Sequence, residues 1–292
     1  MTFAEQYAVY KEQVEQSLLR AMRVPHPSPG LTEATSYSLL AAGKRARPVL
    51  LLAFCEACGG TARAALPLAV GLEMIHNYSL IHDDLPCMDN ADSRRGKPAN
   101  HRAYGEGMAL LAGDALLNLA FETMLSVSAE HPERLLRAMK VIARESGALG
   151  MLGGQALEYE SNLKEREEKL SRSLSASDAG ELLTQMRVIN QLKTGALFRA
   201  AAEAGCIMAG APSAYIAAAE QYAGALGEAF QMSDDILDIN EGEPSAARLL
   251  GPDVCRARVR SLTEDAKSAL KVFEDEGGFL AELADFLCDR KA

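Results

Sequence analysis

Six aspartates form two clusters, and each cluster lies at the C-terminal end of a long apolar run with helical spacing. The clusters are Asp83, Asp84 and Asp89, and Asp234, Asp235 and Asp238. The helix macrodipole already places partial negative charge at that end of a helix, so carboxylates there need a compensating charge. Oxygen-only ligands suit Mg²⁺, which takes one or two protein carboxylates and shares its other positions with water and substrate phosphates. The clusters therefore predict a site for a magnesium-bound, phosphorylated substrate.

A simpler interpretation is that each aspartate pair is a solvated helix cap, because aspartate favours helix ends and turns. That interpretation suits one isolated pair. Here both clusters follow apolar runs and both carry a third aspartate at short spacing. We therefore favour metal binding over capping.

Basic side chains lie near the first cluster. Segment 43–48 contains three cations, and Arg94 and Arg95 follow the cluster directly. Carboxylates for metal together with Arg and Lys for phosphate oxygens are typical of polyphosphate sites. His76 lies seven residues before Asp83, two turns away on the same helix face. A lone histidine is more often structural, but beside two basic segments we predict that this one binds phosphate.

These residues must be positioned by helices. Apolar residues recur at helical spacing in segments near 3–22, 35–57, 64–85, 107–128, 133–149, 178–204, 212–238, 253–274 and 278–290. Breaks rich in Gly and Pro separate the segments, and no convincing strand or hairpin turn interrupts them. The pattern predicts an all-α fold, a single large bundle of about ten or more helices around a central cavity, with residues 1–292 as one domain. The charged segment 161–177 is predicted to be an exposed loop or helix tip.

Composition narrows the class of protein. The formal net charge of −10 argues against a nucleic-acid partner. The six cysteines form no disulfide framework, which predicts a reducing, cytoplasmic location. Cys55 and Cys58 form a CxxC pair without a second ligand pair, so we assign them to core packing rather than to metal or redox chemistry. The charged N-terminal segment is predicted to be neither a signal peptide nor a membrane span.

The ordered motifs resemble those of trans-isoprenyl diphosphate synthases, with particular similarity to bacterial farnesyl diphosphate synthases. Asp83–Asp89 resembles the first aspartate-rich motif in its bacterial form, and Asp234–Asp238 resembles the second. Four further motifs occur in the family's order: Gly43–Pro48, Leu111–Asp114, Gly153–Gln155 and Lys193–Gly195. Six ordered motifs are a far more specific signal than one aspartate pair. The resemblance runs almost continuously from about residue 36 to 238.

The resemblance implies an all-α bundle with an elongated cavity, usually a homodimer. It implies Mg²⁺-dependent, head-to-tail condensation of isopentenyl diphosphate with an allylic diphosphate, either dimethylallyl or geranyl. Three Mg²⁺ ions would bridge the two aspartate clusters and the allylic diphosphate, whose departure leaves an allylic carbocation. The double bond of isopentenyl diphosphate would attack that cation, and the released pyrophosphate would take the proton.

Roles follow from matching motif positions. All six clustered aspartates would hold metal, directly or through water. Arg94 and Lys193 would bind the allylic diphosphate. Isopentenyl diphosphate would be bound by Lys44, Arg47, His76 and Arg95. Thr194 and Gln231 would stabilise the carbocation through their dipoles. The residues expected to act in catalysis are therefore Asp83, Asp84, Asp89, Lys193, Thr194, Gln231, Asp234 and Asp235.

Product length in this family is normally set by bulk below the first aspartate cluster. Tyr78 and Ser79 precede Asp83 by five and four positions, so they lie some 6–8 Å deeper at ~1.5 Å per residue. In the resembling bacterial enzymes an aromatic residue there, with the four-residue insert, accompanies a C15 product. We therefore expect farnesyl diphosphate, with a C10 or C20 product as the alternative.

The chain departs from the family's pattern after Asp238. Family members carry a longer loop there, and the alignment places Glu243 where a diphosphate-binding lysine is usual. Arg248 is a candidate replacement for that lysine. Two smaller departures are Glu158, where Asp is usual, and Asn190, where His is usual.

Two other classes of protein stay open. The shortened loop would suit a weakly active or non-catalytic partner subunit of another synthase, although such a subunit has no need for six compensated carboxylates. The pair His82-Asp83 would suit a metal phosphohydrolase, which needs further histidine ligands in better contexts. We favour the synthase.

Overall fold

Helices dominate the computed structural model, which describes residues 1–23, 27–126, 130–161, 176–239 and 245–289. They are α1 (Phe3–Ala21), α2 (Pro29–Leu39), α3 (Ala46–Ala57), α4 (Ala62–Asp83), α5 (Asn100–Tyr104), α6 (Glu106–Leu125), α7 (Pro132–Ser146), α8 (Met151–Ser161), α9 (Ala176–Lys193), α10 (Gly195–Ala209), α11 (Ser213–Leu237), α12 (Ala246–Leu250), α13 (Pro252–Ala269) and α14 (Gly278–Cys288), with a 3₁₀ helix at Leu270–Gly277. The all-α prediction is confirmed. Most of the charged segment predicted at 161–177 lies outside the described residues.

The first helix forms where its sequence pattern places it. Thr2 and Glu5 make a reciprocal capping box, which satisfies two of the free N–H groups at the helix start. Tyr10, Val14 and Leu18 recur at four-residue spacing and are buried against the rest of the bundle. The prediction of a helix near residues 3–22 is therefore confirmed.

The centre of the bundle is α10, which is built mainly from small residues and is almost wholly buried. It packs against α3, α7 and α11, while α4 packs against α3 and α6. Gly205 shows how close the α3–α10 contact is, because a Cβ there would lie 2.4 Å from the carbonyl oxygen of Leu51. The small residues of α10 therefore let neighbouring backbones approach it.

The predicted continuous helix at 35–57 is wrong. The structure divides it into α2 and α3, joined by a turn in which Arg45 adopts a left-handed conformation with φ 55°. The Arg45 guanidinium donates to the carbonyl oxygens of Leu39, at 3.1 Å, and Ala41, at 2.8 Å. The side chain thus satisfies the carbonyl at the end of α2 and one in the turn that follows, a side-chain effect that apolar spacing cannot reveal. The predicted helix at 178–204 is likewise interrupted, at Thr194.

A short hairpin, which the sequence did not suggest, follows the first aspartate cluster. Ser93–Arg94 (β1) pairs antiparallel with Lys97–Pro98 (β2). Arg95 and Gly96 form the turn with φ of 53° and 73°, and positive φ at both central residues defines a type I′ hairpin turn. Strands of two residues are too short to show an alternating pattern, which explains why they were missed.

One described helix, α6, is long and apolar enough to cross a membrane by length and composition alone. Only 33% of the apolar stretch of this helix is buried within the structure. Because helices packed in a protein core pass the same test, this finding does not establish a membrane span.

A buried acid in α10 gives stability a pH dependence. Glu203 is 6% exposed, and one of its carboxylate oxygens has no hydrogen-bond partner in the structure. Burial, followed by the charge of Glu220, raises the pKa of Glu203 to about 7, although Arg144 lies 3.5 Å away and opposes this shift. The folded chain therefore keeps a proton that the unfolded chain releases, and the free energy of unfolding falls as pH rises from about 4.5 to about 7.

We expect Glu203→Gln to raise the free energy of unfolding by roughly 1–3 kcal/mol at pH 8, because the variant no longer buries a charge. At pH 4.5 the variant and the wild type should differ little. Urea unfolding at both pH values measures the difference, and Glu264→Gln, at an exposed position on α13, is the matched control. An equal effect of Glu203→Gln at both pH values would contradict this explanation.

Candidate active site

One aspartate of each cluster lines a single cavity, whose volume is about 1450 Å³ including the open space at its mouth. Asp83, the last residue of α4, and Asp234, in the last turn of α11, both line it. Among the other predicted site residues, the cavity wall includes Arg47, His76, Tyr78, Ser79, Arg94, Lys193, Thr194 and Gln231. The structure thus brings together residues that are up to about 190 positions apart in the sequence.

The first cluster is held by the turn that ends α4. Asp84 caps the helix, and the backbone N–H of Asp89 donates to the Asp83 carbonyl oxygen at 2.9 Å. Burial raises the pKa of Asp83 to about 6; Lys193 opposes this shift and Asp89 adds to it. Burial disfavours the charged form of this carboxylate, and a nearby cation would stabilise that charged form. This is the environment expected of a metal ligand.

Asp84 is not placed as a metal ligand in this structure. Its carboxylate is buried and accepts two hydrogen bonds from Arg94, with the Arg94 Nε at 3.0 Å from Oδ1. A predicted metal ligand and a predicted diphosphate ligand therefore neutralise each other.

The second cluster is divided in the same way. Asp234 lines the cavity, whereas Asp235 is buried and accepts hydrogen bonds from Gln231 Nε2, at 3.1 Å, and from the backbone N–H of Ala246, at 3.2 Å. Burial raises the pKa of Asp235 above its ordinary value. Asp238 caps α11 and is exposed. The start of α12 therefore holds one aspartate of the pair inside the protein.

The donor set fits magnesium rather than a metal held wholly by the protein. Among the residues that the structure describes, no three His, Cys, Asp or Glu side chains converge into a metal cage. Mg²⁺ needs only one or two carboxylates and completes its octahedron with water and substrate phosphates. Asp83 and Asp234 both line the cavity and supply carboxylates of this kind.

The basic wall is formed by Arg47 and His76. The Arg47 guanidinium lies 4.8 Å from the centre of the Phe198 ring, and its Nη1 lies 3.3 Å from His76 Nε2. Burial lowers the pKa of Arg47 to about 10, so the side chain keeps its charge at neutral pH. Its buried Nε has no hydrogen-bond partner in the structure, which is an unusual cost unless an anion binds there.

His76 is neutral in this environment. Burial and the nearby arginines, Arg47 first, lower its pKa well below the ordinary value. A neutral ring can accept from Arg47 at Nε2 while Nδ1 keeps its proton. The predicted phosphate contact would therefore be a hydrogen bond rather than an ion pair.

A buried acid that sequence reasoning missed supports this wall. Glu73 is 2% exposed and bonds Arg45 Nη1 at 2.8 Å. It also accepts from Asn77 Nδ2 at 3.1 Å, and Asn77 Oδ1 in turn accepts from Arg95 Nη1 at 3.4 Å. Glu73 is the only acid between residues 62 and 82, and an isolated charge in an apolar run is the signal that would have found it.

Lys193 is held by the motif glycines and by an acid. A Cβ on Gly154 would lie 2.3 Å from the Lys193 backbone nitrogen, so only glycine lets α8 lie against the end of α9. The Lys193 Nζ contacts Glu158 Oε2 at 2.5 Å. Glu158 stands where the family usually has Asp, and its longer side chain is what pairs with the lysine here.

A polar chain continues from Lys193 to the second cluster. The Thr194 hydroxyl donates to Gln231 Oε1 at 2.9 Å, and Gln231 Nε2 donates to Asp235 Oδ1. Each bond orients the next group, which leaves the Thr194 and Gln231 dipoles in a defined position beside the cavity.

The deeper wall contains Tyr78, which is 3% exposed and stacks edge-on against His82 with ring centres 5.7 Å apart. His82 Nε2 bonds the Leu110 carbonyl oxygen at 3.0 Å. A Cβ on Gly113 would lie 2.1 Å from that nitrogen, so the ring lies in a space that the glycine leaves open. His82 lines the cavity as well, and its Nε2 is committed to the Leu110 carbonyl oxygen, which weakens the case for a metal phosphohydrolase.

Two of the predicted isopentenyl diphosphate ligands, Lys44 and Arg95, lie outside the cavity wall, as do the predicted metal ligands Asp84, Asp89, Asp235 and Asp238. Lys44 is exposed, and its carbonyl oxygen accepts a hydrogen bond from the Tyr7 hydroxyl. Arg95 forms the hairpin turn, near Arg47 and Arg94. Glu243 lies outside the described residues, so the comparison of Glu243 with Arg248 stays a prediction.

Comparison with proteins of known sequence supports the same interpretation of the site. A family model described as polyprenyl synthetase matches residues 28–260. The Arabidopsis thaliana protein named putative geranylgeranyl pyrophosphate synthase 8, chloroplastic, is 41% identical over 303 residues, covering 97% of this chain and 81% of the relative. The Fischerella ambigua dimethylallyltranstransferase is 39% identical over 296 residues, covering 96% and 81%. The chain spans 60–61% of the length of three further Arabidopsis relatives.

A solved structure is also similar over almost its whole length. The crystal structure of an FPP/GFPP synthase from Zymomonas mobilis, in its apo form, has a TM-score of 0.85 at 34% identity, covering 98% of this chain and 100% of that chain. The chain therefore belongs to the polyprenyl synthetase family, as its resemblance to trans-isoprenyl diphosphate synthases predicted.

Proposed function

We propose that this protein condenses isopentenyl diphosphate head-to-tail with an allylic diphosphate. The observation that carries the proposal is the convergence on one cavity of Asp83 and Asp234 with the cations Arg47 and Lys193. Acids suited to metal and cations suited to phosphate are the two halves of a diphosphate site. Membership of the family supports the same reaction.

Magnesium, in up to three ions, would be held by the two clusters, with Asp83 and Asp234 as the ligands that already face the cavity. When bound, magnesium neutralises the allylic diphosphate and favours its departure as pyrophosphate. Asp84 and Asp235 can join as ligands only by releasing their present partners, Arg94 and Gln231.

The cations that would bind the allylic diphosphate are paired with acids in this structure. Arg94 bonds Asp84, and Lys193 contacts Glu158. An entering diphosphate takes both cations from their carboxylates, which frees Asp84 for metal. The exchange couples metal binding to substrate binding, because each makes the other's ligands available.

Isopentenyl diphosphate would bind on the opposite, basic wall. Arg47 lines the cavity and keeps its charge, and neutral His76 offers one N–H. Arg95, near Arg47, would complete the set together with the exposed Lys44. The allylic carbocation would lie beside Thr194 and Gln231, whose oxygen dipoles stabilise positive charge. No general base is required, since the released pyrophosphate can accept the proton.

A C15 product, farnesyl diphosphate, is the finer proposal. Tyr78 is a buried aromatic in the cavity wall, below Asp83, and it supports a short product. Geranylgeranyl diphosphate is the second candidate, because the names of several Arabidopsis relatives specify it. The non-catalytic partner subunit is less well supported, since Asp83 and Asp234 line the cavity together with the cations Arg47, Arg94 and Lys193.

The assembly and location follow as further proposals. We propose a homodimer, which is supported by exposed apolar residues on α6, including Leu110, Leu111 and Leu125. A cytoplasmic location and a single domain over residues 1–292 also remain our proposals.

Incubation of the purified protein with Mg²⁺, radiolabelled isopentenyl diphosphate and dimethylallyl or geranyl diphosphate tests the reaction. We expect label in a longer prenyl alcohol after phosphatase treatment, and a loss of at least 100-fold for Asp234→Asn, whose carboxylate would hold metal. The control is Asp253→Asn, an exposed acid on α13, which should keep full activity. Phosphate release without condensation would indicate a hydrolase, and no turnover would indicate a partner subunit.

Tyr78→Ala should lengthen the product, because loss of the aromatic ring deepens the cavity below Asp83. Sizing of the dephosphorylated alcohols by chromatography measures the shift, expected from C15 to C20 or longer. Tyr159→Ala, at an exposed position on α8, is the matched control and should leave the distribution unchanged. An unchanged distribution for Tyr78→Ala would show that this residue does not set product length.

Gly154→Ala should displace the Lys193 backbone and weaken its contact with the allylic diphosphate. Loss of one charge-assisted contact costs about 1.5–3 kcal/mol, which corresponds to roughly 10–150-fold in kcat/KM for the allylic substrate. Gly224→Ala is the control, since a Cβ there meets no atom within 4 Å. Equal kinetics for both variants would rule out this role for Gly154.

A further inference from the structure

Two cysteines that are far apart in the sequence meet between α3 and α10. The Sγ atoms of Cys58 and Cys206 lie 3.5 Å apart, although 148 positions separate the residues. The CxxC neighbour of Cys58 does not take part in this pair. The Cys55 thiol instead donates to the Thr61 carbonyl oxygen at 3.6 Å. The pair that the fold makes is therefore different from the pair that the sequence shows.

Backbone packing holds the two sulfurs close together. Gly205, adjacent to Cys206, lets α10 lie against the Leu51 carbonyl oxygen and the Cys55 nitrogen of α3. Cys58 caps α3, where the helix ends. The two sulfurs must approach from 3.5 Å to the roughly 2.0 Å of a sulfur–sulfur bond for a disulfide to form.

The two thiols differ in access. Cys206 is fully buried, whereas Cys58 is only partly buried, so an oxidant in solution reaches Cys58 first. The hydrogen bond with Cys206 lowers the pKa of Cys58, while burial raises the pKa of Cys55 to about 12. Thiolate is the reactive form of cysteine, so these environments favour first attack at Cys58. The hydrogen bond with Cys58 and burial raise the pKa of Cys206 well above its ordinary value, so Cys206 keeps its proton until Cys58 is oxidised.

We propose that Cys58 and Cys206 form a thiol-oxidation site that closes into a reversible disulfide in the presence of a peroxide. The Cys58 thiolate attacks one peroxide oxygen and breaks the O–O bond, giving a sulfenic acid and hydroxide. The Cys206 thiol then loses its proton as its sulfur attacks the sulfenic sulfur of Cys58 and expels the sulfenic oxygen as hydroxide. The proton from Cys206 and one proton from solvent convert the two hydroxides into two waters. In total two thiols and one hydrogen peroxide give one disulfide and two waters.

The bond would join two helices that carry site residues at their other ends. Helix α3 begins next to Arg45 and Arg47, and α10 begins directly after Lys193 and Thr194. The cross-link closes a loop of about 148 residues, and long loops restrict the unfolded chain strongly. Oxidation is therefore expected to stabilise the fold, and this inference does not depend on the proposed reaction.

The full chain would be treated with hydrogen peroxide, digested without reductant and analysed by mass spectrometry. We expect a linked peptide pair containing Cys58 and Cys206, loss of two of the six free thiols, a higher unfolding midpoint, and reversal of all three by dithiothreitol. Cys58→Ser should abolish the linked pair, and Cys55→Ser, its CxxC neighbour, should retain it. Because Cys58 is only partly buried, Cys58→Ser is expected to fold even if a Cys206 variant does not.

Three outcomes would overturn the proposal. One is a disulfide between Cys55 and Cys58, and another is cross-linking only between different chains through the exposed Cys87. The third is retention of all thiols under conditions that oxidise a model dithiol. Each would show that the sulfur contact between α3 and α10 is packing alone.

Discussion

The basic wall of the cavity depends on one buried carboxylate, that of Glu73. Arg45, Arg47 and Arg95 lie close enough to disfavour one another's charges, and the low dielectric of a protein interior makes that repulsion large. Glu73 bonds Arg45 directly and reaches Arg95 through Asn77. This acid offsets part of the repulsion and lets the cations stay in place without substrate. The turn at Arg45 and the start of α3 both rest on the same contact.

The acidic residues of the site have the opposite difficulty, repulsion between negative charges. The structure compensates the individual carboxylates to different extents. Asp84 is neutralised by Arg94, whereas Asp235 accepts hydrogen bonds from the uncharged donors of Gln231 and Ala246. Burial raises the pKa of both Asp83 and Asp235, and of these two Asp83 is the one that lines the cavity. A cation is therefore most needed at Asp83, where Lys193 supplies only part of the charge. Bound metal would offset the negative charge of the carboxylates, and bound diphosphate would offset the positive charge of the basic residues.

Much of the site was predictable, because its chemistry is carried by residue types at short spacing. The clusters of Asp83 and Asp234 stand out in the sequence, since charge at the end of an apolar helix is costly. Glu73, by contrast, was missed because its value lies in a contact with Arg45, 28 positions away. The helix predicted across 40–45 failed for a more local reason, side-chain contacts with backbone groups four and six positions away. Only the folded chain shows that Arg45 bonds the carbonyls at the end of α2 and so ends that helix.

The sequence by itself determined the all-helical class, the aspartate clusters and the cations that match them, because periodicity and charge are local properties. Only the tertiary structure decided which of these groups face the cavity and which are paired with one another, as Asp84 is with Arg94 and Lys193 with Glu158. It also decided that Cys58 contacts the distant Cys206 rather than its CxxC neighbour Cys55. The physical reason is that pairing depends on which helix surfaces pack together, and small residues such as Gly154 and Gly205 set that packing by how close they let two backbones come.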